Sequence, residues 1–390
     1  MHIRMNYFMN KKINILFVTT SDQIAGAEKT ILDTLRLIDR EIFNPRLIVF
    51  KHAKNGELIE RARELGIPVT CLNIQSKWQF FKLVKLFGVI KDFQPDILES
   101  FLFFDNVVCR IIGSIMRVPV IISGQQNAYL KRSYIRNIAD RMTIGFADGI
   151  ISNSNAGKDW YVNQRYCSDE EITVIKSGID THHLSSLQKN NPTKINPRVI
   201  FNIEIPDGHM TAVSIGFLEE QKGITYLIDA VKILKEKNTP IHFFIIGDGS
   251  CRDELERKSQ ELGVSDRIHF IGFKSAAAQY LHLFDMFILP SLWEGLPNVV
   301  IEAMASNVSV IATSVGGVSE MIEHEKQGLI ISPRNPSELA VAIIRLVNNP
   351  ESRIFFAENA RNYVNNNLTA EGMVLKRQHY YEQLLEKHKK

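Results

Sequence analysis

Two acidic residues, Glu294 and Glu302, stand in the otherwise uncharged stretch SLWEGLPNVVIEAMA, residues 291–305. Ionised carboxylates accept O–H hydrogen bonds strongly, so such a pair suits a ligand that carries many hydroxyl groups. The start of a helix also attracts anions, because its first N–H groups have no partner within the helix. These residues could therefore bind a hydroxylated, anionic ligand. The alternative is that both carboxylates are solvated, since acidic residues are common in the first turns of helices.

The elements around the two carboxylates can be predicted from the same stretch. The apolar run DMFILPS that precedes it is typical of a buried strand. Pro297 suits the first turn of a helix, which we expect to run to about Ser306 and Asn307. Glu294 then lies in the loop before the helix and Glu302 in its second turn. A loop that curls over the helix start would let both carboxylates face one pocket.

Thirteen apolar, strand-like runs alternate with helical patterns along the chain, seven in the first half and six in the second. Continuous apolar strands separated by helices indicate parallel sheets that are covered on both faces. The polar, Pro- and Asn-rich region 181–208 is the natural boundary between two doubly wound α/β domains. We expect a first domain at 1–186, a linker at 187–207, a second domain at 208–368 and a final helix at 369–390.

The composition narrows the class of protein. The 390 residues include 46 Lys and Arg against 43 Asp and Glu, a net charge of +3 that does not indicate a nucleic-acid binder. Four widely spaced cysteines suggest neither a zinc site nor a disulfide framework, so a reducing cytosol fits best. No apolar run approaches the ~20 residues of a membrane-spanning helix. Residues 1–8 are expected to be disordered or to precede the true start.

Ligands of such sheets bind beyond the carboxyl ends of the strands, which draws attention to the residues that follow each strand. Gly26 follows the first strand, where it could let a phosphate approach the backbone or could be an ordinary turn glycine. Lys222 follows the eighth strand, where it could bind a diphosphate or could be a solvated surface lysine. Gly247 and Gly249 form G-x-G, but Arg252 stands where a third glycine is required. The missing dinucleotide fingerprint argues against a nicotinamide or flavin enzyme.

Several other chemistries lack their sequence motifs. The chain has no D-x-D, no H-E-x-x-H and no G-x-S-x-G, and the adjacent His182 and His183 are expected to be solvated. We therefore expect no metal site, no cofactor and no hydrolase nucleophile.

Two basic and aromatic segments could contact a membrane. The segment Lys77–Phe93 is predicted to be a helix with Lys82 and Lys85 beside a broad apolar face of Trp78, Phe81, Val84 and Phe87. Residues 130–141 add Lys131, Arg132, Arg136 and Arg141. The alternative for the first segment is a helix that packs on the sheet and leaves its lysines exposed.

An ordered series of motifs resembles one family. LPSLWEGLPNVVIEAMA looks like the E-x7-E signature of retaining glycosyltransferases of family 4, which have the GT-B fold. AGAEK, IISNSNAGKD, VIKSGID, IGFLEEQKG, IIGDG, IHFIGF, SVGGVSEMI and QGLIISP follow in the order and spacing of that family. The resemblance covers nearly the whole chain. It implies two facing Rossmann-like domains with a cleft between them, and a final helix that returns to the first domain.

The resemblance also implies a role for each residue. Glu302 would hold the ribose of a nucleotide-diphosphate sugar, Glu294 would contact the hydroxyl groups of the donor sugar, and Lys222 would neutralise the diphosphate. Gly26 would approach the phosphates and Gly272 with Phe273 would lie near the base. The donor loop contributes three further expected contacts, Gly295, Leu296 and Asn298. Members of this fold generally need no metal for the transfer step, in agreement with the missing D-x-D.

Two positions depart from the family pattern. Phe217 stands where an arginine is frequent, and Gln126 stands where a histidine or arginine is frequent; Gln126 can hydrogen-bond a substrate on the acceptor side but cannot act as a base. The favoured function is retaining sugar transfer to a glycan or lipid-linked acceptor in polysaccharide, lipopolysaccharide or glycolipid synthesis. This activity is expected in the cytoplasm, at the inner face of a membrane. The alternatives are a non-catalytic subunit that binds a nucleotide-sugar and a nucleotide-sugar epimerase.

Overall fold

The computed structural model describes residues 11–53, 56–126, 133–189 and 197–389 of the chain. The chain divides into two compact units: the first comprises residues 1–177 and 370–390, and the second comprises residues 178–369. The expected linker at 187–207 thus falls within the second unit, and its residues 190–196 lie outside the described ranges.

The first unit is built on a parallel sheet, to which seven strands of the described ranges contribute. They are β1 (Ile13–Ser21), β2 (Phe43–Lys51), β3 (Val69–Cys71), β4 (Ile97–Ser100), β5 (Val120–Gln125), β6 (Gly149–Ser152) and β7 (Ile172–Val174). Their order is β3-β2-β1-β4-β5-β6-β7, so the chain reverses its direction of winding between β1 and β4. These strands correspond to the seven runs expected from the sequence.

Helices cover both faces of this sheet. They are α1 (Gly26–Leu37), α2 (Leu58–Glu64), α3 (Val84–Phe93), α4 (Phe103–Ile115), α5 (Tyr134–Thr143) and α6 (Asn155–Asn163), with a helix from the end of the chain, Ala370–Lys389. One apolar core joins the first two helices and the C-terminal helix to the sheet, and another joins α3 and α4 to its opposite face.

The segment Lys77–Phe93 is not one continuous helix. Residues Lys77–Leu83 form a 3₁₀-helix, which leads directly into α3. Leu86 and Ile90 of α3 are buried in the core, whereas Trp78 and Phe81 of the 3₁₀-helix are exposed. The α-helical part therefore packs on the sheet, while aromatic side chains before it face solvent.

A buried ionic cluster fixes the C-terminal helix to the first sheet. Arg377 and Tyr381 both donate hydrogen bonds to the carboxylate of Glu99 on β4, and all three side chains are fully buried. Burial and the neighbouring carboxylate raise the pKa of Tyr381 far above its usual range, so the phenol keeps its proton and remains a donor.

The second unit repeats the architecture with six strands in its described part. They are β8 (Met210–Ile215), β9 (Ile241–Ile246), β10 (Ile268–Gly272), β11 (Met286–Leu289), β12 (Ser309–Thr313) and β13 (Leu329–Ile331), in the order β10-β9-β8-β11-β12-β13. All the pairs are parallel, and the winding reverses between β8 and β11. These strands correspond to the other six expected runs.

The helices of the second unit lie on both faces of its sheet. They are α7 (Thr181–Lys189), α8 (Pro197–Ile200), α9 (Ile224–Glu236), α10 (Arg252–Glu261), α11 (Asn298–Ala305), α12 (Pro336–Asn348) and α13 (Pro350–Asn367); the C-terminal helix of the first unit is α14. One core includes α11 and α13, and the other includes α9 and α12. A doubly wound sheet of this kind places its ligand at the strand ends where the winding reverses.

Candidate functional site

The loops that follow β8 and β11 meet at the point where the second sheet reverses its winding. The loop after β8 ends in a 3₁₀-turn, Glu220–Lys222, and is followed by Gly223 at φ +60°. A Cβ atom on Gly223 would lie 2.1 Å from the carbonyl oxygen of Pro290, which follows β11. Only glycine permits both this backbone conformation and so close an approach of the two loops.

This approach brings Lys222 and Glu294 into contact. The Nζ atom of Lys222 donates to Oε1 of Glu294 at 2.6 Å, although the residues are 72 positions apart. Glu294 is only 5% exposed, so the lysine provides the compensating charge for a nearly buried carboxylate. Lys222 and Glu294, which lie far apart in the sequence, thus form one ion pair.

Neutral donors hold the same carboxylate. The hydroxyl of Ser291 donates to Oε1 of Glu294 at 2.7 Å. The side chain of Gln221 donates to the carbonyl of Trp293 at 2.9 Å and makes a long contact of 3.4 Å with Oε2 of Glu294. Oε1 therefore receives two short hydrogen bonds and Oε2 one long one, which leaves Oε2 with greater capacity to accept a hydrogen bond from a ligand.

The loop after β12 supports the Glu294 loop from its other side. Gly316, at φ +52°, approaches so closely that a Cβ atom would lie 1.9 Å from the carbonyl oxygen of Glu294. The N–H of Gly317 donates to the carbonyl of Gly295 at 2.6 Å, and the hydroxyl of Thr313 donates to the carbonyl of Ser291 at 2.6 Å. The Glu294 loop is therefore held by two neighbouring strand ends.

Helix α11 follows the Glu294 loop. Pro297 is the N-cap residue with an extended conformation, one position before the helical turn in which the sequence suggested it, and the helix ends at Ala305 rather than at Ser306 or Asn307. Glu302 is half-buried in the second turn of α11, as is Asn298 in the first. The side chain of Leu296 is 4% exposed and belongs to the apolar core.

The residues expected near the base lie after β10. Gly272 closes this strand at φ +78°, and its carbonyl accepts a hydrogen bond at 3.0 Å from the N–H of Gly247, which follows β9. The side chain of Phe273 is 43% exposed, as is that of Phe217 after β8. The ends of three adjacent strands therefore carry two accessible aromatic rings.

Gly26 and Gln126 belong to the first unit. Gly26 is the first residue of α1, after β1. Gln126 follows β5 and is half-buried, and the side-chain amide of Asn153 donates to its carbonyl at 3.1 Å and to its Oε1 at 3.2 Å. The structure thus puts both residues at strand ends of the first sheet.

Two buried acids at the strand ends of the first unit were not predicted. Glu28 of α1 accepts a hydrogen bond from Thr19 at 3.1 Å, and Asp105 of α4 accepts one from Thr20 at 2.9 Å. Burial raises the pKa of Glu28 to about 7 and that of Asp105 to about 6. Each is the third residue of its helix, where an acid forms a capping box, and that position was the available sequence signal.

The described ranges contain neither a metal-binding cluster nor a membrane-spanning helix. No cluster of three or more His, Cys, Asp or Glu side chains in them could hold a metal ion. Among the helices that the structure describes, none is long and apolar enough to cross a membrane.

Two family models match the chain. The model for Glycosyl transferases group 1 matches residues 196–363, and the model for Glycosyltransferase Family 4 matches residues 24–183. Each match covers most of one unit, and together they confirm the resemblance to glycosyltransferase family 4 that the motifs indicated.

Individual proteins agree with the family models. The UDP-Gal:alpha-D-GlcNAc-diphosphoundecaprenol alpha-1,3-galactosyltransferase of Escherichia coli is 23% identical over 367 residues, which are 92% of this chain and 93% of that protein. The putative teichuronic acid biosynthesis glycosyltransferase TuaC of Bacillus subtilis is 29% identical over 65% of this chain and 62% of its own length. The crystal structure of Anabaena HepE in complex with UDP-glucose is 21% identical, with a TM-score of 0.81 over 95% of this chain and 100% of HepE. The last likeness confirms the predicted GT-B fold.

Proposed function

This chain belongs to the glycosyltransferases, and we propose that it moves a sugar from a nucleotide-diphosphate sugar to a glycan or lipid-linked acceptor with retention of the anomeric configuration. The observation that carries the proposal is the Lys222–Glu294 ion pair at the strand ends where the second sheet reverses its winding. It supplies a cation for a diphosphate and a carboxylate for sugar hydroxyl groups at one place.

Lys222 is proposed to bind the diphosphate that leaves. As the bond between the anomeric carbon and the diphosphate breaks, negative charge grows on the phosphate oxygens. A positioned ammonium group stabilises this charge with little reorganisation, because the 3₁₀-turn and Gly223 already fix the backbone of Lys222. An arginine is frequent in the family at the position of Phe217, but this chain has no cation there. Lys222 is therefore expected to contribute more of the stabilisation than it would beside such an arginine.

Glu294 and Glu302 are proposed to bind the two sugar rings of the donor. Oε2 of Glu294 has only a 3.4 Å contact with Gln221, so it can accept a hydrogen bond from a hydroxyl group of the transferred sugar. Glu302, half-buried on α11, is assigned to the ribose. Gly295 and Asn298 complete the donor loop, Leu296 supports it from the core, and Gly272 with Phe273 is assigned to the base.

The proposed reaction is a front-face substitution. The acceptor hydroxyl oxygen forms the new bond to the anomeric carbon on the side from which the diphosphate departs, and its proton passes to a phosphate oxygen of the leaving group. The residues proposed to act in this step are Lys222 and Glu294. In the first unit, Gly26 is assigned to the phosphates, and Gln126 is assigned to hydrogen-bonding the acceptor without taking its proton.

The acceptor is proposed to be a growing cell-surface glycan or its lipid-linked precursor. The name of the Escherichia coli relative specifies a diphosphoundecaprenol-linked acceptor, and that of TuaC specifies teichuronic acid biosynthesis. An acceptor with a polyprenyl chain stays in a membrane. We therefore also propose a peripheral membrane contact through the segment Lys77–Phe93, in which Trp78, Phe81 and Lys85 are exposed.

Calorimetric titration with UDP, GDP, ADP and CMP in metal-free buffer tests the donor site. One diphosphate should bind the wild type, and Lys222→Ala should weaken it at least about tenfold, which is about 1.4 kcal/mol. Glu302→Ala should weaken the same nucleotide by a similar factor because the ribose contact is lost. The matched control is Lys232→Ala, since Lys232 is an exposed lysine on α9 of the same unit.

Two outcomes would reject the assignment. Equal affinity of the wild type and Lys222→Ala would remove the lysine from the diphosphate site, and no binding of any nucleotide would remove the donor site altogether. Retention is tested separately, by measuring the anomeric configuration of the product by NMR. A product with inverted configuration would contradict the front-face reaction.

A further inference from the structure

Helix α5 buries its polar side and exposes its apolar side. Asp140 is fully buried and Thr143 is 6% exposed, whereas Ile135 is 77% and Met142 74% exposed. A helix on the surface of a globular protein normally shows the opposite arrangement, because its apolar stripe packs on the core. The apolar side of α5 therefore faces outward for a reason other than the packing of this unit.

The apolar residues of α5 form one continuous stripe. At ~100° per residue, Tyr134, Ile135, Ile138 and Met142 fall within an arc of about 100°. Arg141 lies beside one edge of this arc and is exposed. The stripe is as wide as the apolar face of a helix that is fully packed on one side.

An ion pair, rather than apolar packing, holds α5 in this orientation. Nη1 of Arg110 on α4 donates to Oδ1 of Asp140 at 2.7 Å, and both side chains are fully buried. Nε of Arg110 donates to Ser123 on β5 at 2.8 Å, and the hydroxyl of Tyr161 on α6 donates to the other oxygen of Asp140 at 3.2 Å. These bonds fix the polar side of α5 inward, so the apolar side must point away from the sheet.

Helix α4 packs against α5 and adds exposed apolar residues of its own. Its exposed Ile111 and Ile115 are one turn apart. We define the α4–α5 face by its six exposed apolar residues, which are Ile111, Ile115, Tyr134, Ile135, Ile138 and Met142. So much clustered apolar surface marks an interaction site.

The charges around this face are positive. The acids of α4 and α5, Asp105 and Asp140, are fully buried, whereas Arg136 and Arg141 of α5 are exposed. All the exposed charges of these two helices are thus cationic. Lys131 and Arg132, which the sequence analysis counted in the same basic group, lie outside the described residues.

We propose that the α4–α5 face inserts its apolar side chains into the outer layer of an anionic lipid bilayer, with Arg141 at the headgroups. An apolar stripe with a cation at its edge, on helices that expose no acid in their described residues, is what a helix needs to lie in such an interface. The inference deepens the proposed function, because it gives the enzyme a surface by which to reach a lipid-linked acceptor. It is distinct from the contact through Lys77–Phe93, because its residues belong to other helices.

Cosedimentation with vesicles tests the proposal. The wild type should bind vesicles that contain phosphatidylglycerol, bind pure phosphatidylcholine vesicles more weakly, and lose part of its binding at high salt. Ile135→Glu with Met142→Glu should weaken binding at least about tenfold, because two apolar side chains no longer leave water. The control is Val341→Glu with Ile354→Glu, which changes two comparably exposed apolar residues of the second unit and should bind as the wild type does.

The proposal would be overturned if the wild type did not bind anionic vesicles, or if it bound them no better than the variant Ile135→Glu with Met142→Glu. It would also be overturned if light scattering showed a wild-type dimer that this variant does not form, because the face would then bind a second copy of the chain. Binding of the nucleotide found in the titration and the circular dichroism spectrum should be unchanged in both variants, which would show that the fold and the donor site persist. If the wild type bound no nucleotide, the proposed function would be rejected, and the vesicle experiment would still test the membrane contact independently.

Discussion

Replacement of Lys222 by methionine tests whether the ion pair at the end of β8 is both a structural and a functional element. Methionine keeps an unbranched chain of similar length but removes the charge. In the wild type, Nζ of Lys222 lies 2.6 Å from Oε1 of Glu294, and their side chains are 18% and 6% exposed. The variant therefore leaves a nearly buried carboxylate without its cation.

The expected loss of stability follows from this burial. Removal of one partner from a fully buried ion pair costs about 3–5 kcal/mol. Lys222 is partly exposed and Ser291 still donates to the carboxylate, so we expect the second unit to lose about 2 kcal/mol. Glu294→Gln added to Lys222→Met should restore at least about 1 kcal/mol, because a neutral amide needs no counter-charge. Nucleotide binding should stay weak in the double variant, since the cation is still absent.

The three tryptophans permit an assay of the second unit alone. Trp78 and Trp160 belong to the first unit, and Trp293 lies in the Glu294 loop. In a background of Trp78→Phe and Trp160→Phe, urea unfolding followed by tryptophan fluorescence reports the second unit, which avoids treating two units as one transition. Equal loss of stability in the single and the double variant would refute the reasoning, because the cost could not then come from an unpaired Glu294.

Three further predictions concern buried groups and one close backbone contact. Glu99→Gln should destabilise the first unit by about 3 kcal/mol in urea unfolding, because the fully buried Arg377 loses its counter-ion; an unchanged midpoint would contradict this. Glu28 has a pKa raised from 4.5 to about 7, so its share of the stability should fall as the pH rises through that window. Glu28→Gln should remove this share, which is on the order of 3 kcal/mol, and leave the fall at lower pH that comes from Asp105, whose pKa is raised from 3.8 to about 6. Equal pH profiles of the wild type and Glu28→Gln would contradict this. Gly316→Ala should lower the rate of sugar transfer by a larger factor than it lowers the folded fraction of the protein, because the new Cβ atom would displace the carbonyl of Glu294. Transfer at the wild-type rate would contradict this, because the Glu294 loop would then accommodate the Cβ atom without loss of activity.

The fold was predictable because its strands are nearly all apolar. Runs such as INILFVTT and IHFFIIG are buried on both faces of their sheets, so they can be recognised without knowledge of their neighbours. The segment Lys77–Phe93 was predicted less well. Its amphipathic pattern predicted one continuous helix, whereas Lys77–Leu83 is a 3₁₀-helix and only the part that follows, with Leu86 and Ile90 buried, is α-helical.

The candidate site was only partly predictable, because its contacts join distant residues. Lys222 and Glu294 were each found from their positions after strands, but their ion pair depends on the adjacency of β8 and β11. The supporting donors Gln221 and Thr313 have no sequence signal, since glutamine and threonine at strand ends are usually solvated. The raised pKa of Glu28 was also hidden, because it comes from burial that only the packed helix produces.

The two sheets reverse their winding in the same way, yet their strand ends carry different chemistry. At the first reversal, β1 and β4 present Glu28 and Asp105, which are 3% and 0% exposed and already accept hydrogen bonds from threonines and backbone groups. At the second reversal, β8 and β11 present a carboxylate that is paired with a lysine and retains a weakly bonded oxygen. A buried acid that caps a helix is not accessible to a substrate. In the ion pair, by contrast, the lysine can bind a diphosphate and the carboxylate can accept a hydrogen bond from a hydroxyl group. This difference, rather than the shared topology, supports the proposal that the second unit binds the donor.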